Sequence, residues 1–193
     1  MKMVRVDVAS VQAVPSTEFR NAMRQLAGGV CVITVGRGTD ISGMTVTSVS
    51  SLSIEPTAVS VNVNRNSSSW LLMQRHGVFG VNVLGFDQGD VARRFSGQAG
   101  VKGAARYAGS DWITRETGVR LLADAPVALE CEIQQTIEHG SHAIVIGRIV
   151  GTYAVPDRGA LVYWRGDYIE LAPDAWSQSD HINNTGSKSI ARG

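Results

Sequence analysis

The sequence predicts a mainly β domain, an antiparallel barrel or sandwich with a few short helices plugging its ends. Three observations carry this expectation. Apolar residues recur with period two in runs roughly 8–15 residues apart. Only three stretches show helical spacing instead. And 21 of the 193 residues are glycine without a collagen repeat, so the chain turns often or lets something come close to its backbone.

Taken in order, residues 1–15 alternate charged and apolar residues and read as an arm with no continuous apolar core of a signal peptide. After Pro15 an amphipathic helix is expected, capped by Ser16. Its stripe is Phe19, Ala22, Met23 and Leu26, and Gly28-Gly29 stops it. Residues 30–35 are apolar on both faces, the mark of a strand buried on both sides. Gly36-Arg37-Gly38 has no third glycine and no following helix, so it reads as a hairpin turn, not a dinucleotide fingerprint. Val59, Val61 and Val63 alternate with polar residues, as do Val127, Leu129, Cys131 and Ile133. Residues 78–84, 143–150, 160–164 and 168–171 continue the β character, the last after an Arg-Gly-Asp turn. Two further helices are expected at 67–75 and 87–95, the second capped by Asp87 with Val91, Ala92 and Phe95 as its stripe. Residues 97–109 are Gly/Ala-rich and basic and read as a mobile loop. One domain is expected over residues 16–172, with a polar tail over 173–193.

Composition narrows the function classes. With 18 Lys+Arg against 17 Asp+Glu the net charge is +1, which argues against a nucleic-acid groove or a polybasic membrane anchor. No apolar run approaches the ~18 residues of a membrane span, so a soluble cytoplasmic protein is the expectation. Two cysteines, Cys31 and Cys131, are too few for a disulfide scaffold, and Cys31 reads as a core residue. His139-Gly140-Ser141-His142 has metal-like spacing, but Gly-Ser between two β runs makes it a turn, and no carboxylate or thiolate cluster completes a ligand set.

The segment over residues 43–70 is the most unusual. Hydroxyls recur every two or three residues between Thr45 and Ser53 in a strand-like pattern. Such a strand is either a solvated edge or a ligand wall that offers O–H and backbone N–H groups to a flat polar heterocycle. The residues that follow favour the ligand. Asn62, Asn64, Arg65, Asn66 and Ser67–Ser69 gather amides, a guanidinium and hydroxyls at a helix start, the chemistry of a phosphate site.

Landmarks in fixed order then resemble a known family. They are Phe19-Arg20-Asn21-Ala22-Met23 with Gly29-Val30 and Val32-Ile33-Thr34, then Gly43-Met44-Thr45-Val46-Thr47-Ser48 with Ser51, Ser53 and Pro56. Asn64-Arg65-Asn66-Ser67-Ser68, Phe79-Gly80-Val81-Asn82-Val83-Leu84 and Arg94-Phe95-Ser96-Gly97 follow. Gly140-Ser141-His142 with Gly147, and Leu161-Val162-Tyr163 with Gly166-Asp167-Tyr168, close the set. Over about residues 19–171 the chain resembles the short-chain flavin reductases, the NAD(P)H:flavin oxidoreductase components of two-component flavin-dependent monooxygenases. Ser141 departs from the pattern, standing where the family usually has Asp.

The resemblance implies a Greek-key split β-barrel that forms a homodimer, binds FMN or FAD, takes electrons from NADH or NADPH with NADH favoured, and supplies a partner monooxygenase. It implies that Met44, Thr45, Val46, Thr47, Ser48 and Val49 lie against the flavin ring. Asn62, Asn64, Arg65, Ser67 and Ser68 would take the phosphate end, and Asn82, Val83, Phe95 and Ser96 would complete the pocket. His142 and Tyr168 would line the nicotinamide side, with Arg20 and Lys102 as nucleotide-phosphate partners. No side chain is assigned a catalytic role, because hydride passes between the cofactors themselves. A split-barrel flavin carrier or oxidase deaf to NAD(P)H, and a non-enzymatic β-barrel module, remain as alternatives.

Overall fold

The computed structural model describes residues 12–97 and 100–173. Most of the expected arm and all of the expected tail beyond Pro173 lie outside the described residues. The twelve strands are β1 (Gly28–Gly29), β2 (Cys31–Arg37), β3 (Asp40–Val46), β4 (Ser50–Ile54), β5 (Thr57–Asn64), β6 (Val78–Val83), β7 (Trp112–Thr114), β8 (Arg120–Leu122), β9 (Val127–His139), β10 (His142–Ala154), β11 (Ala160–Trp164) and β12 (Asp167–Leu171). Helices are α1 (Ser16–Met23), α2 (Ser68–His76) and α3 (Gly89–Phe95), with a 3₁₀ turn at Gly103–Tyr107.

Seven strands form one antiparallel sheet in the order β3-β2-β6-β9-β10-β5-β4. Period-two alternation explains why it curls. Ile33 and Val35 on β2 share a core with Val59, Val61 and Val63 on β5, although three strands separate β2 from β5 in the ladder. Only a sheet rolled on itself brings those faces together, and Trp70, Leu72 and Met73 of α2 plug the interior. The fold is the Greek-key split barrel expected. On the other face, Val32 of β2 and Val30 just before it share a core with Val91, Ala92 and Phe95 of α3, together with Tyr107 and Leu121. Strand β2 is therefore apolar on both sides because both sides are covered.

The edge strands β3 and β4 are consecutive in the chain yet stand at opposite ends of the sheet order. Residues 47–49 make the crossing between them. The continuous hydroxyl strand expected across Thr45–Ser50 is thus corrected: β3 ends at Val46 and β4 begins at Ser50. Ser48 pins the crossing to β5, its Oγ donating to the Asn62 carbonyl and accepting from the Asn62 N–H, both at 3.2 Å.

Four other local expectations change. Pro15 occupies the N-cap of α1 and Ser16 is already helical, so no side chain caps that helix; it ends at Met23 and buries none of its residues. Asp87 does not cap α3. It pairs with Arg158 at 3.0 Å, and Gln88 holds the N-cap position while its side chain ties Gly85 to Asp124. The expected mobile loop over 97–109 is held at its far end, residues 98–99 lying outside the described residues: Tyr107 is buried, donates to Ser42 O at 2.5 Å and packs edge-on against Phe95 and Trp112. The β9–β10 strands run much longer than their sequence pattern suggested and meet at the His139–His142 turn, whose two central residues are Gly140 and Ser141.

Candidate functional site

The crossing over residues 47–49 opens onto a cleft of about 310 Å³ lined by Thr45–Ser48, Ser96, Tyr163 and Tyr168. Each side is built differently. Among the described residues β2 is the one ladder partner of β3; Arg106 and Tyr107 donate to the Gly43 and Ser42 carbonyls, so the end of β3 and the unladdered crossing are what border the cleft. The strand is held from behind by Phe95. A Cβ on Gly43 would lie 2.6 Å from the Phe95 ring and 2.7 Å from Ile33 O, so glycine is needed for that close approach. Thr45 Oγ1 donates to Ala92 O at 2.7 Å, clamping β3 to α3. The Thr47 hydroxyl has no partner among the described residues, which leaves it available to a ligand.

The opposite wall is aromatic. Arg165 and Gly166, both at positive φ, make the two-residue turn between β11 and β12, and this register sets Tyr163 opposite Tyr168. The rings meet edge-on at 5.4 Å, and Arg93 lies 5.1 Å over the Tyr168 ring. Burial, then the neighbouring Tyr163, raises the Tyr168 phenol above its ordinary value of 10.0, with Arg93 opposing.

Two grooves continue the cleft. One, about 490 Å³, shares Ser48 and is lined by Phe19, Asn62, His139, His142, Ala143 and Ile144. The other, about 450 Å³, shares Thr47 and Tyr163 and runs along α1 past Arg20, Met23, Arg24 and Leu26 to Gly28. At Gly28 a Cβ would sit 3.0 Å from Thr47 Cβ, so the glycine lets β1 come close to the crossing. His142 opens strand β10 opposite Asn64, with Nδ1 2.9 Å from Ser141 Oγ.

Of the residues expected to bind ligands, the structure gathers Thr45, Val46, Thr47, Ser48, Ser96 and Tyr168 around the cleft, with Asn62 and His142 in the first groove and Arg20 in the second. Others it places elsewhere. Asn82 is fully buried; its Nδ2 donates to Val32 O at 3.0 Å and its Oδ1 accepts from Leu122 N–H at 2.7 Å, so both ends of the amide are spent inside the fold. Phe95 is a core ring, 1% exposed. Met44, Val49 and Val83 pack against the barrel interior, and Lys102 is exposed beside the 3₁₀ turn.

The expected phosphate cluster is also occupied by its own structure. Ser67 caps α2, accepting from Trp70 N–H and donating to Asn64 O at 2.7 Å. Asn64 Oδ1 accepts from Asn66 N–H, Ser68 pairs with Ser42, and Arg65 is held by Glu138 and Gly140 O. None of the four expected members over 64–68 lines the cleft or either groove. Tyr163 escaped the sequence reading, although the tight turn after Trp164 signals it: the residue facing Tyr168 across a two-residue hairpin is Tyr163.

The cleft and grooves together suit a flat, partly polar heterocycle with a second ring beside it. Their volumes fall in the range of ~300–1,000 Å³ usual for small-molecule sites. Hydroxyl and amide groups line one side and tyrosine faces the other. The two cysteines take no part. Burial pushes both thiols up to about 12, with the Glu130 charge adding to the effect on Cys131.

Comparison with known proteins places the chain in a family. The family model described as "Flavin reductase like domain" matches residues 23–172. The chain is 35% identical to the "FMN reductase (NADH) RutF 2" of Methylorubrum extorquens over 169 residues, 88% of this chain and 96% of that protein. It is 28% identical to the "Flavin-dependent monooxygenase, reductase subunit HsaB" of Rhodococcus jostii, covering 86% of this chain and 83% of that one. Among solved structures, the Streptomyces globisporus NADH:FAD oxidoreductase SgcE6 superposes with a TM-score of 0.75 at 29% identity, over 84% of this chain and 99% of its own.

Proposed function

This chain belongs to the flavin reductase like family, and on that premise we propose that it passes a hydride from NADH to FMN or FAD and delivers the reduced flavin to a monooxygenase. The single observation that carries the reading is the cleft at the 47–49 crossing, with an edge strand and a lone hydroxyl on one side and a tyrosine pair on the other. The groove bearing His142 opens from it at Ser48.

When bound, flavin supplies the hydride-accepting chemistry. What the chain supplies is placement. The Thr45–Ala92 bond and the Phe95 ring brace β3, so the backbone at its end and Thr47 would hold the polar side of a bound flavin without rearranging. Tyr163 and Tyr168 line the cleft's other side and would shield a bound ring from water there. His142 lies one groove away and would contact the nicotinamide carboxamide, holding the reductant at the short distance that transfer demands. No acid or base of the chain is required for this.

The site reading favours a second copy. The apolar residues at α1 face outward, with Phe19 on the helix 55% and Leu26 just past its end 66% exposed, and Ile54 on β4 is 82% exposed. Both flank the cleft or the strand that follows its crossing, so a homodimer would cover them and wall in the grooves. We also place the protein in the cytoplasm, where NADH is supplied; among the described residues no helix is long and apolar enough to cross a membrane.

The test is an anaerobic stopped-flow experiment pairing NADH or NADPH with FMN or FAD while following the oxidised flavin band. Loss of the band with NADH, faster than with NADPH, is the expected result. A protein that binds flavin but leaves the band intact with either nucleotide would be a carrier, and the proposal would fail.

A further inference from the structure

We propose that Arg65 is a positioning residue for the nicotinamide side, acting through the turn that carries His142 and not on a flavin phosphate. The inference rests on the reading of His142 given above. Arg65 follows the last residue of β5, Asn64, which is the register partner of His142 at the start of β10. From there it reaches one turn by three routes. Its backbone N–H donates to Ser141 O at 2.9 Å, Nη1 donates to Gly140 O at 3.1 Å, and Nη2 pairs with the Glu138 carboxylate. The contacts span both sides of the two-residue turn, including Gly140, which sits at φ 56° and gives the turn no stiffness of its own.

An exposed ion pair alone would contribute little, and both partners here are more than a third exposed. The arrangement differs from a lone pair because a planar guanidinium engages a carbonyl and a carboxylate at once while the adjacent amide ties down the next carbonyl. The Arg65 Nε lies buried without a hydrogen-bond partner among the described residues, so the head group is seated against the turn, not extended into solvent. To meet a phosphate it would have to surrender the bonds to Gly140 and Glu138. With the turn pinned, Ser141 Oγ stays 2.9 Å from His142 Nδ1 and fixes which way the ring faces the groove.

The experiment measures steady-state kinetics with NADH, and binding of FMN and of riboflavin, for the wild type, Arg65→Ala, Arg65→Lys, His142→Ala and the Arg65→Ala/His142→Ala double variant. Arg65→Ala should raise KM for NADH about tenfold with kcat changed less than about twofold, the cost of a displaced binding group. FMN and riboflavin affinities should both stay as they are. Arg65→Lys, which can keep one of the two side-chain contacts, should fall between. In the double variant the arginine change should add nothing, because its effect runs through the absent imidazole. Weaker FMN binding with riboflavin binding unchanged would make Arg65 a phosphate ligand and overturn the inference, as would additive effects in the double variant. If His142→Ala raises KM and Arg65→Ala does not, the clamp fails while the His142 reading survives. If His142→Ala leaves KM untouched, that reading fails and takes the clamp with it.

Discussion

Asn82 and Thr47 are both polar residues in strand-rich sequence, and chemistry alone does not tell them apart. What separates them is where neighbouring elements land. The 115–122 segment folds over β6 and brings the Leu122 N–H to the Asn82 amide, which then has no capacity left for a ligand. Thr47 sits past the end of β3, where β1 approaches its Cβ but no described residue bonds its hydroxyl. Asn82→Ala should therefore strand a buried carbonyl and a buried N–H and cost about 2–3 kcal/mol of stability, with flavin affinity of the folded protein unchanged. Urea denaturation and flavin fluorescence quenching on one preparation check both halves. Normal stability with weakened flavin binding would return Asn82 to the site. Phe95 teaches the same lesson: its type suits a flavin pocket, but its ring fills the space above Gly43.

Elements were legible from periodicity wherever their pairing was local or their burial two-sided. Strand β2 and the three hairpin turns at Gly38, Gly140 and Gly166 follow from residues within a few positions of one another. The hydroxyl segment misled because alternation continues smoothly from β3 into β4, while the ladder partner switches from β2 to β5 at the crossing. Periodicity along a chain carries no information about which strand lies alongside. Likewise α1 carries its apolar residues on one stripe, yet nothing in the stripe says that the helix buries none of them among the described residues. The β2–β3 hairpin offers a test at this scale. Its tip residue Asp40 accepts from His76 at 3.2 Å and from Arg75 at 2.8 Å, the end of α2. The His76 bond, then the Arg75 bond, lower the Asp40 carboxyl below its ordinary 3.8. The folded state therefore holds this proton less tightly than the unfolded chain, so the pair's contribution is present above the ordinary carboxylate range and is lost as pH falls through the lowered value. Urea midpoints of the wild type and Asp40→Asn should differ at pH 6 and converge as the pH falls below the ordinary carboxylate range. A gap that stays constant down to acid would exclude the ion pair as its source.

For the molecule as a whole, the barrel and its class of ligand were readable in advance, but the layout of the cleft was not, because it is assembled from β3, the end of α3, β11 and β12, which only the closed fold brings together. The crossing at residues 47–49 has a consequence beyond geometry. Among the described residues the rolled sheet is joined there by chain and by Ser48 instead of by a ladder, and the candidate cleft sits on that seam. A bound flavin would then act as a fastener, and the empty protein would breathe there first. At hundredfold excess over Kd, a ligand that binds only the closed form adds about 2.7 kcal/mol. In hydrogen–deuterium exchange, FMN should slow the amides of residues 47–49 and Asn62 far more than those of β2 and β6. Equal protection across the sheet would mean that the seam is already shut. On this view the enzyme's affinity for its cofactor and the mechanical integrity of its barrel are one quantity, so cells short of flavin would hold a looser, shorter-lived protein.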